Sequence, residues 1–155
     1  MWRQFCRTAM PDLDPKVAAK WELVFASKLA PSPTRQYHNI HHITDLLTKQ
    51  ANTAFASSLR ITLAIWFHDL VYDGKSNENE ELSAQMFQEF ALEANLDSET
   101  TREVYDWILE TKRHTTSQYQ SPKYQEEFYL FLDLDLSILG SSPAQYDAYA
   151  NQSVK

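Results

Sequence analysis

The 155-residue sequence is 43% hydrophobic and 13% aromatic, which fits one globular domain spanning residues 1–155 and excludes a disordered chain. No run of about eighteen apolar residues is available to span a membrane, and MWRQFCRTAM lacks the apolar segment of a signal peptide, so we expect a cytoplasmic protein. The net charge of -7 argues against an extended nucleic-acid surface, and the single cysteine, Cys6, excludes an intramolecular disulfide.

Helical periodicity dominates the chain, because apolar residues recur at i, i+3 and i+4 and there are just two glycines. We therefore predict an all-α domain, a compact bundle of about six or seven helices. Cys6 is predicted to be an apolar position in an N-terminal helix. The next helix begins with Asp14 as its cap and Pro15 in its first turn, and it ends before Pro31.

The middle of the chain contains the most apolar segment. A helix from about Asn39 to Lys49 precedes a helix that is capped by Ser57 or Ser58 and carries SLRITLAIWFHDLVY. Because this segment is apolar nearly all round, we expect it to be a buried central helix. A polar loop around DGKSN leads to a further helix, whose predicted inward side chains are Leu82, Met86, Phe87 and Phe90.

Three further segments complete the prediction. DSET begins a helix that contains Trp107, and HTTSQYQSPK, residues 114–123, is a loop. The helix YQEEFYLFLDLDLSIL then ends at Gly140, in the left-handed conformation that is usual after a helix. Ser142 and Pro143 open a last helix.

The stretch YHNIHHI contains three of the five histidines of the chain. Histidine is both a common metal ligand and the usual acid or base near neutral pH. His38 and His42 are four residues apart and share a helix face if the helix begins early enough, whereas His41 points about 100° away from His42. Two of the three histidines are therefore predicted to act together.

Two other segments carry acids in apolar surroundings. His68 and Asp69 end the most apolar helix, where an ionised aspartate is costly without a cationic partner. Asp133 and Asp135 lie in FLDLDLSIL and point about 200° apart on a helix, so we expect one of them to face inward. Nitrogen and oxygen ligands from three separate helices are what a hydrolytic metal centre requires.

The order of His42, His68-Asp69 and a late aspartate resembles the HD-domain superfamily of metal-dependent phosphohydrolases. YHNIHH is similar to the YHNxxH segment of cyclic-nucleotide phosphodiesterases, and LDLS is similar to their ADLS segment, which selects Asp135 over Asp133. RQYHNIHHI, AIWFHDLVYD, NEELSA and FLDLDLSILG together resemble a bacterial family of small predicted HD phosphohydrolases, from about residue 20 to the end. That family continues beyond Tyr146 and Tyr149, so the resemblance implies a shortened chain.

The resemblance implies roles for individual residues. The implied ligands of a divalent ion are His42, His68, Asp69 and Asp135, and Asp69 is able to bridge to a second ion. Mn, Mg, Fe, Ni, Co and Zn are all candidates, with one or two ions per chain. His38 matches the residue that protonates the leaving oxygen, which makes His38 and Asp69 the implied catalytic residues.

Four other residues are weaker candidates. Glu80, in the NEEL segment, is expected near the site entrance, where it would assist catalysis or complement the helix N-terminus. Arg35, Lys112 and His114 are candidate contacts for substrate phosphate, with helix-surface charge as the alternative for the two basic side chains.

The predicted function is metal-dependent hydrolysis of a small phosphate ester, with nucleotides among the candidate substrates. Cyclic-nucleotide specificity does not transfer, because the chain has no room for the base-recognition elements of the phosphodiesterases. Two alternatives stay open: a sensor module that binds metal or a nucleotide without hydrolysis, and a di-iron oxygenase of the HD type.

Overall fold

The computed structural model describes residues 1–113, 119–144 and 146–147. Within these ranges the chain forms seven α-helices, which are α1 (Trp2–Ala9), α2 (Pro15–Lys28), α3 (Ile40–Gln50), α4 (Leu59–Phe67), α5 (Asn79–Glu93), α6 (Ser98–Glu110) and α7 (Gln125–Asp135). The same residues contain no β-strand, so the predicted all-α class is confirmed. None of the described helices has the length and apolarity needed to cross a bilayer.

Four helices begin where a polar side chain accepts a hydrogen bond from the first helical turn. The caps and the amides that they accept from are Asp14 with Lys16, Asn39 with His41, Ser58 with Ile61, and Asp97 with Thr100. Such a cap satisfies an otherwise unpaired amide and is worth about 0.5–2 kcal/mol. The predicted starts of α2, α3 and α4 are confirmed, with Ser58 rather than Ser57 as the cap of α4.

Helix α4 is the centre of the bundle, as its apolar sequence predicts. Residues 61–68 are all buried, and the helix packs against α3, α5, α6 and α7. A cluster of aromatic rings joins α1 and α2 to one side of it, formed by Trp2, Trp21, Phe25, Trp66, Phe67 and Phe90. Each such ring stabilises the fold by about 1.5–3 kcal/mol through burial, so α4 is a rigid support for the residues at its C-terminal end.

The inward face of α5 differs from the prediction at two positions. Leu82 is 40% exposed, and Met86 is only partly buried. The buried stripe of the helix consists instead of Ser83, Ala84, Phe87, Phe90 and Ala91. Most of these positions are three, four or seven residues apart, so they lie on one face of the helix. Residues 82 and 86 lie at the edge of that face.

The end of α7 also differs from the prediction. The α-helix stops at Asp135 and tightens into a 3-10 helix, Leu136–Gly140, and Gly140 does not have a positive φ. The amide of Ser141 donates to the carbonyl of Ile138 at 3.1 Å, so the chain closes this turn without a left-handed residue. The left-handed position occurs after α5, at Asn95, whose φ is 51°.

Two predicted segments are only partly covered by the described residues. Residues 119–121 of the predicted loop are irregular, and Pro122–Tyr124 forms one turn of 3-10 helix. Residues 143–144 and 146–147 are helical, as predicted, and the amide of Tyr146 donates to the carbonyl of Ser142 at 2.9 Å. Tyr149 lies outside the described residues.

Cys6 should be chemically inert in the folded protein. It is 4% exposed on α1, and burial raises the pKa of its thiol to about 11 from the ordinary 9.0. The thiolate fraction at pH 8 is therefore about 100-fold lower than for a free thiol, and the thiolate is the nucleophile. We expect alkylation by iodoacetamide to be at least about 100-fold slower in native than in urea-denatured protein. Equal rates would show that α1 does not cover the thiol.

Candidate metal centre

The ends of three helices bring the predicted ligands together. α3 contributes a side chain from its first turn, α4 ends at the His-Asp pair, and α7 contributes its last residue. The loop before α3 adds a further histidine. The assembled residues are His38, His42, His68, Asp69 and Asp135.

Four atoms from these residues face one another across a small space. Asp135 Oδ1 lies 3.2 Å from His42 Nε2 and 3.2 Å from His68 Nε2. Asp69 Oδ2 lies 3.2 Å from His68 Nε2 and 3.6 Å from His42 Nε2. The two imidazoles thus alternate with the two carboxylates around one point.

These separations match those of ligands around a single ion. With metal–ligand bonds of about 2.1 Å, neighbouring donor atoms in a tetrahedral or octahedral shell lie roughly 3.0–3.4 Å apart. Three of the four distances, at 3.2 Å, fall in this interval, and the fourth, at 3.6 Å, is close to it. A mixed set of imidazole and carboxylate donors suits Zn, Mn, Fe or Co better than Ca.

His68 is oriented in the way that a metal-binding histidine usually is. Its Nδ1 lies 3.0 Å from the carbonyl of Ile65, to which it donates a hydrogen bond. Its Nε2 is buried and has no partner with hydrogen-bonding geometry among the described residues, although two carboxylate oxygens are 3.2 Å away. A carbonyl that fixes one ring nitrogen and turns the other towards an ion is the usual arrangement around metal ligands.

The charges of the cluster call for a cation. Burial alone would lower the pKa of His68, but the carboxylates of Asp69 and Asp135 outweigh burial and raise that pKa well above its ordinary value. Burial alone would raise the pKa of Asp69, but His68 and His38 outweigh it and hold that pKa well below its ordinary value. Carboxylates in a buried site need nearby positive charge to stay ionised, which a proton on His68 or a divalent ion in its place can supply.

His38 lies at the rim and is oriented by a carboxylate. Its Nδ1 is 2.6 Å from Asp69 Oδ2, and its ring packs on that of Tyr72 with centroids 4.6 Å apart. The side chain is 27% exposed, against 1% for His42. The expectation that His38 and His42 share a helix face is wrong, because α3 begins only after its cap, Asn39. His38 reaches the cluster from the loop instead.

Asn39 caps α3 and so positions the histidines of its first turn. It is 2% exposed, and its side chain accepts from the amide of His41 at 2.9 Å and donates to the carbonyl of Gln36 at 2.6 Å. This cap places the start of α3 so that His42 faces the cluster while His41 is exposed to solvent. The preference of asparagine for helix caps could have identified it.

Most of the hydrogen-bonding capacity of Arg35 is used within the protein. It is 9% exposed, and its guanidinium donates to four main-chain carbonyls, those of His38, Lys28, Leu70 and Asp69. Burial lowers the pKa of Arg35, although the nearby Asp69 carboxylate opposes this. Arg35 therefore links three segments of main chain, and its contact with a substrate phosphate stays a prediction.

Two of the other weak candidates, Lys112 and Glu80, are not part of the cluster. Lys112 Nζ donates to Glu81 Oε1 at 2.7 Å and to the carbonyl of Asn77. These two acceptors hold its ammonium group at the start of α5. Glu80 is in the first turn of α5, where a carboxylate favours the helix N-terminus, and neither group of potential metal ligands includes it. His114 lies outside the described residues.

The two aspartates of α7 provide a test of the ligand assignment. Asp135 is 12% exposed and faces the histidines, whereas Asp133 is exposed to solvent, as the sequence predicted. We expect Asp135→Asn to lose most of its bound metal, because an amide oxygen is a weaker, neutral donor, and Asp133→Asn to keep it. Elemental analysis of both variants after dialysis against Mn²⁺ checks this, and the opposite ranking would refute the assignment.

Comparisons of the chain with protein-family models, with curated proteins and with solved structures gave no match. What the site can do must therefore be argued from its own residues.

Proposed function

We propose that the protein is a divalent-metal-dependent phosphohydrolase that acts on a small phosphate ester, with nucleotides among the candidate substrates. The observation that carries the proposal is the ring of four donor atoms at 3.2–3.6 Å, in which His68 is turned towards the carboxylates by its bond to Ile65. His42, His68, Asp69 and Asp135 would hold the ion. The fit rests on donor chemistry, spacing and charge together.

The ion would supply Lewis acidity, which lowers the pKa of water and polarises a phosphoryl oxygen. The residues of the chain do the rest. Asp69 accepts the Nδ1–H of His38 and so leaves Nε2 of that ring to face a substrate at the rim. From there His38 donates a proton to the leaving oxygen, and Asp69 stabilises the charged imidazole before that transfer.

A second ion would share ligands with the first. The second group of potential ligands is His38, His42 and Asp69, and His42 belongs to both groups. Two complete and independent sites therefore cannot form from these residues. We propose one tightly held ion, with any second ion bound more weakly beside Asp69 and His38.

The experiment is a hydrolysis panel on metal-free protein that has been resupplied with single divalent ions. The substrates are p-nitrophenyl phosphate, nucleoside monophosphates and cyclic nucleotides. We expect turnover that EDTA abolishes and the ion restores. Nucleotide binding without turnover would favour the sensor, and oxygen consumption with two irons per chain would favour the oxygenase.

A further inference from the structure

The guanidinium of Arg35 bonds the main chain at both residues of the His38–Asp69 pair. Nε donates to the carbonyl of His38 and Nη2 donates to the carbonyl of Asp69. Nη1 donates to the carbonyls of Lys28 and, at 3.4 Å, Leu70. Arginine has five N–H donors, so most of its capacity is spent on carbonyls from the end of α2, the loop before α3 and the turn after α4.

The pair that Arg35 bridges has no helix in common. His38 and Asp69 are 31 residues apart, one in a loop and the other in a turn, yet their side chains meet at 2.6 Å. A hydrogen bond this short depends on where the two backbones lie. The planar fork of a guanidinium holds several acceptors at fixed relative positions, which an ammonium group cannot do.

Arg35 itself is held in place on several sides. Its amide donates to the carbonyl of Ser32 at 3.0 Å, and Asn39 Nδ2 donates to its carbonyl at 3.3 Å. Its Cζ lies 5.7 Å from the centre of the Tyr72 ring, and that ring packs on His38. Arg35 can fix the relative position of His38 and Asp69 only if Arg35 is itself held in place.

We propose that Arg35 is a positioning residue, which sets the hydrogen bond between His38 and Asp69 by binding the main-chain carbonyls of both. The effect of Arg35 on catalysis rests on the proposed function, in which His38 is the general acid. The hydrogen bond itself exists or fails whether or not the protein is an enzyme. The test therefore reads that bond directly, in metal-free protein.

The experiment compares Arg35→Lys with the wild type by proton NMR of the imidazole N–H groups. A short N–H to carboxylate bond gives a downfield resonance that is protected from exchange with water. We expect the Nδ1–H resonance of His38 to exchange at least about tenfold faster in Arg35→Lys, because a weakened hydrogen bond to the Asp69 carboxylate protects the N–H less from water. Arg7→Lys, an exposed arginine of α1, is the control and should leave it unchanged.

Each outcome decides the matter. An unchanged His38 resonance in natively folded Arg35→Lys would overturn the proposal. If that variant does not fold, Arg35→Gln, which keeps an N–H donor without the charge, is measured in the same way. Loss of the native fold in both variants would also overturn it, because Arg35 would then hold the fold rather than the pair.

A second measurement, on the metal-loaded protein, distinguishes an effect of Arg35 on the position of His38 from an effect on metal binding. We expect Arg35→Lys to keep its metal and to lose more turnover on alkyl phosphates than on p-nitrophenyl phosphate, because only poor leaving groups need the proton. Loss of metal would contradict the proposal. Absence of turnover in the wild type would refute the proposed function and leave the NMR result standing.

Discussion

His68→Ala should leave the protein unable to hold a stoichiometric divalent ion. The imidazole is 1% exposed at the floor of the cluster, and its Nε2 faces both carboxylates. Alanine removes one of the two nitrogen ligands of the group His42, His68 and Asp135, and leaves only the more exposed group that contains His38. Loss of an outer partner of a ligand already costs 10–100-fold in affinity, so loss of the ligand itself should cost at least about 100-fold. Hydrolysis should fall to background.

Elemental analysis after dialysis against Mn²⁺ measures the first effect, and circular dichroism shows whether the helices persist. The matched control is His41→Ala, because His41 is the exposed neighbour of a predicted ligand in the same helix turn. We expect the control to keep wild-type metal content. Full occupancy in His68→Ala would remove that residue from the centre.

His38→Asn should separate metal binding from proton transfer. Asparagine can still donate an N–H towards Asp69, but it cannot deliver a proton near neutral pH. We expect metal content to stay at the wild-type level and turnover to fall by roughly 10²–10⁴-fold, the usual loss for a missing general acid. The loss should shrink for p-nitrophenyl phosphate, whose leaving group needs little protonation.

Two results would count against this role. Loss of metal together with loss of turnover would make His38 a ligand. His38 belongs to the second group of potential ligands, with His42 and Asp69. An undiminished rate would leave it a structural residue beside Tyr72. His41→Asn serves as the control for imidazole loss at an exposed position.

The parts of the site that could be predicted from sequence are those that short-range patterns determine. The apolar run before His68 identifies α4 as central, and the partial burial of Asp69, which is 18% exposed just beyond the end of that helix, follows from its position in the sequence. Helical periodicity predicts that only one of Asp133 and Asp135 faces inward, and the resemblance of LDLS to a phosphodiesterase segment selected Asp135. The roles that come only from resemblance to HD phosphohydrolases, including the choice of reaction, remain predictions.

The parts that could not be predicted depend on contacts between distant segments. Arg35 resembles a phosphate ligand until its carbonyl partners are known, and two of them are 34 and 35 residues away. The ion pair of Lys112 could not be predicted either, because its partner Glu81 lies on α5, 31 residues earlier in the chain. A shared helix face for His38 and His42 required α3 to begin before His38, whereas it begins after its cap, Asn39, and His38 reaches Asp69 from the loop.

The most direct test of the account is anomalous diffraction from crystals grown with Zn²⁺, measured at the zinc edge. We expect one strong peak about 2.0–2.2 Å from Nε2 of His42 and His68 and from carboxylate oxygens of Asp69 and Asp135. Data collected below the edge should lose that peak, which identifies the ion. A map with no peak among these four side chains, from crystals in which zinc binds elsewhere at full occupancy, would contradict the account.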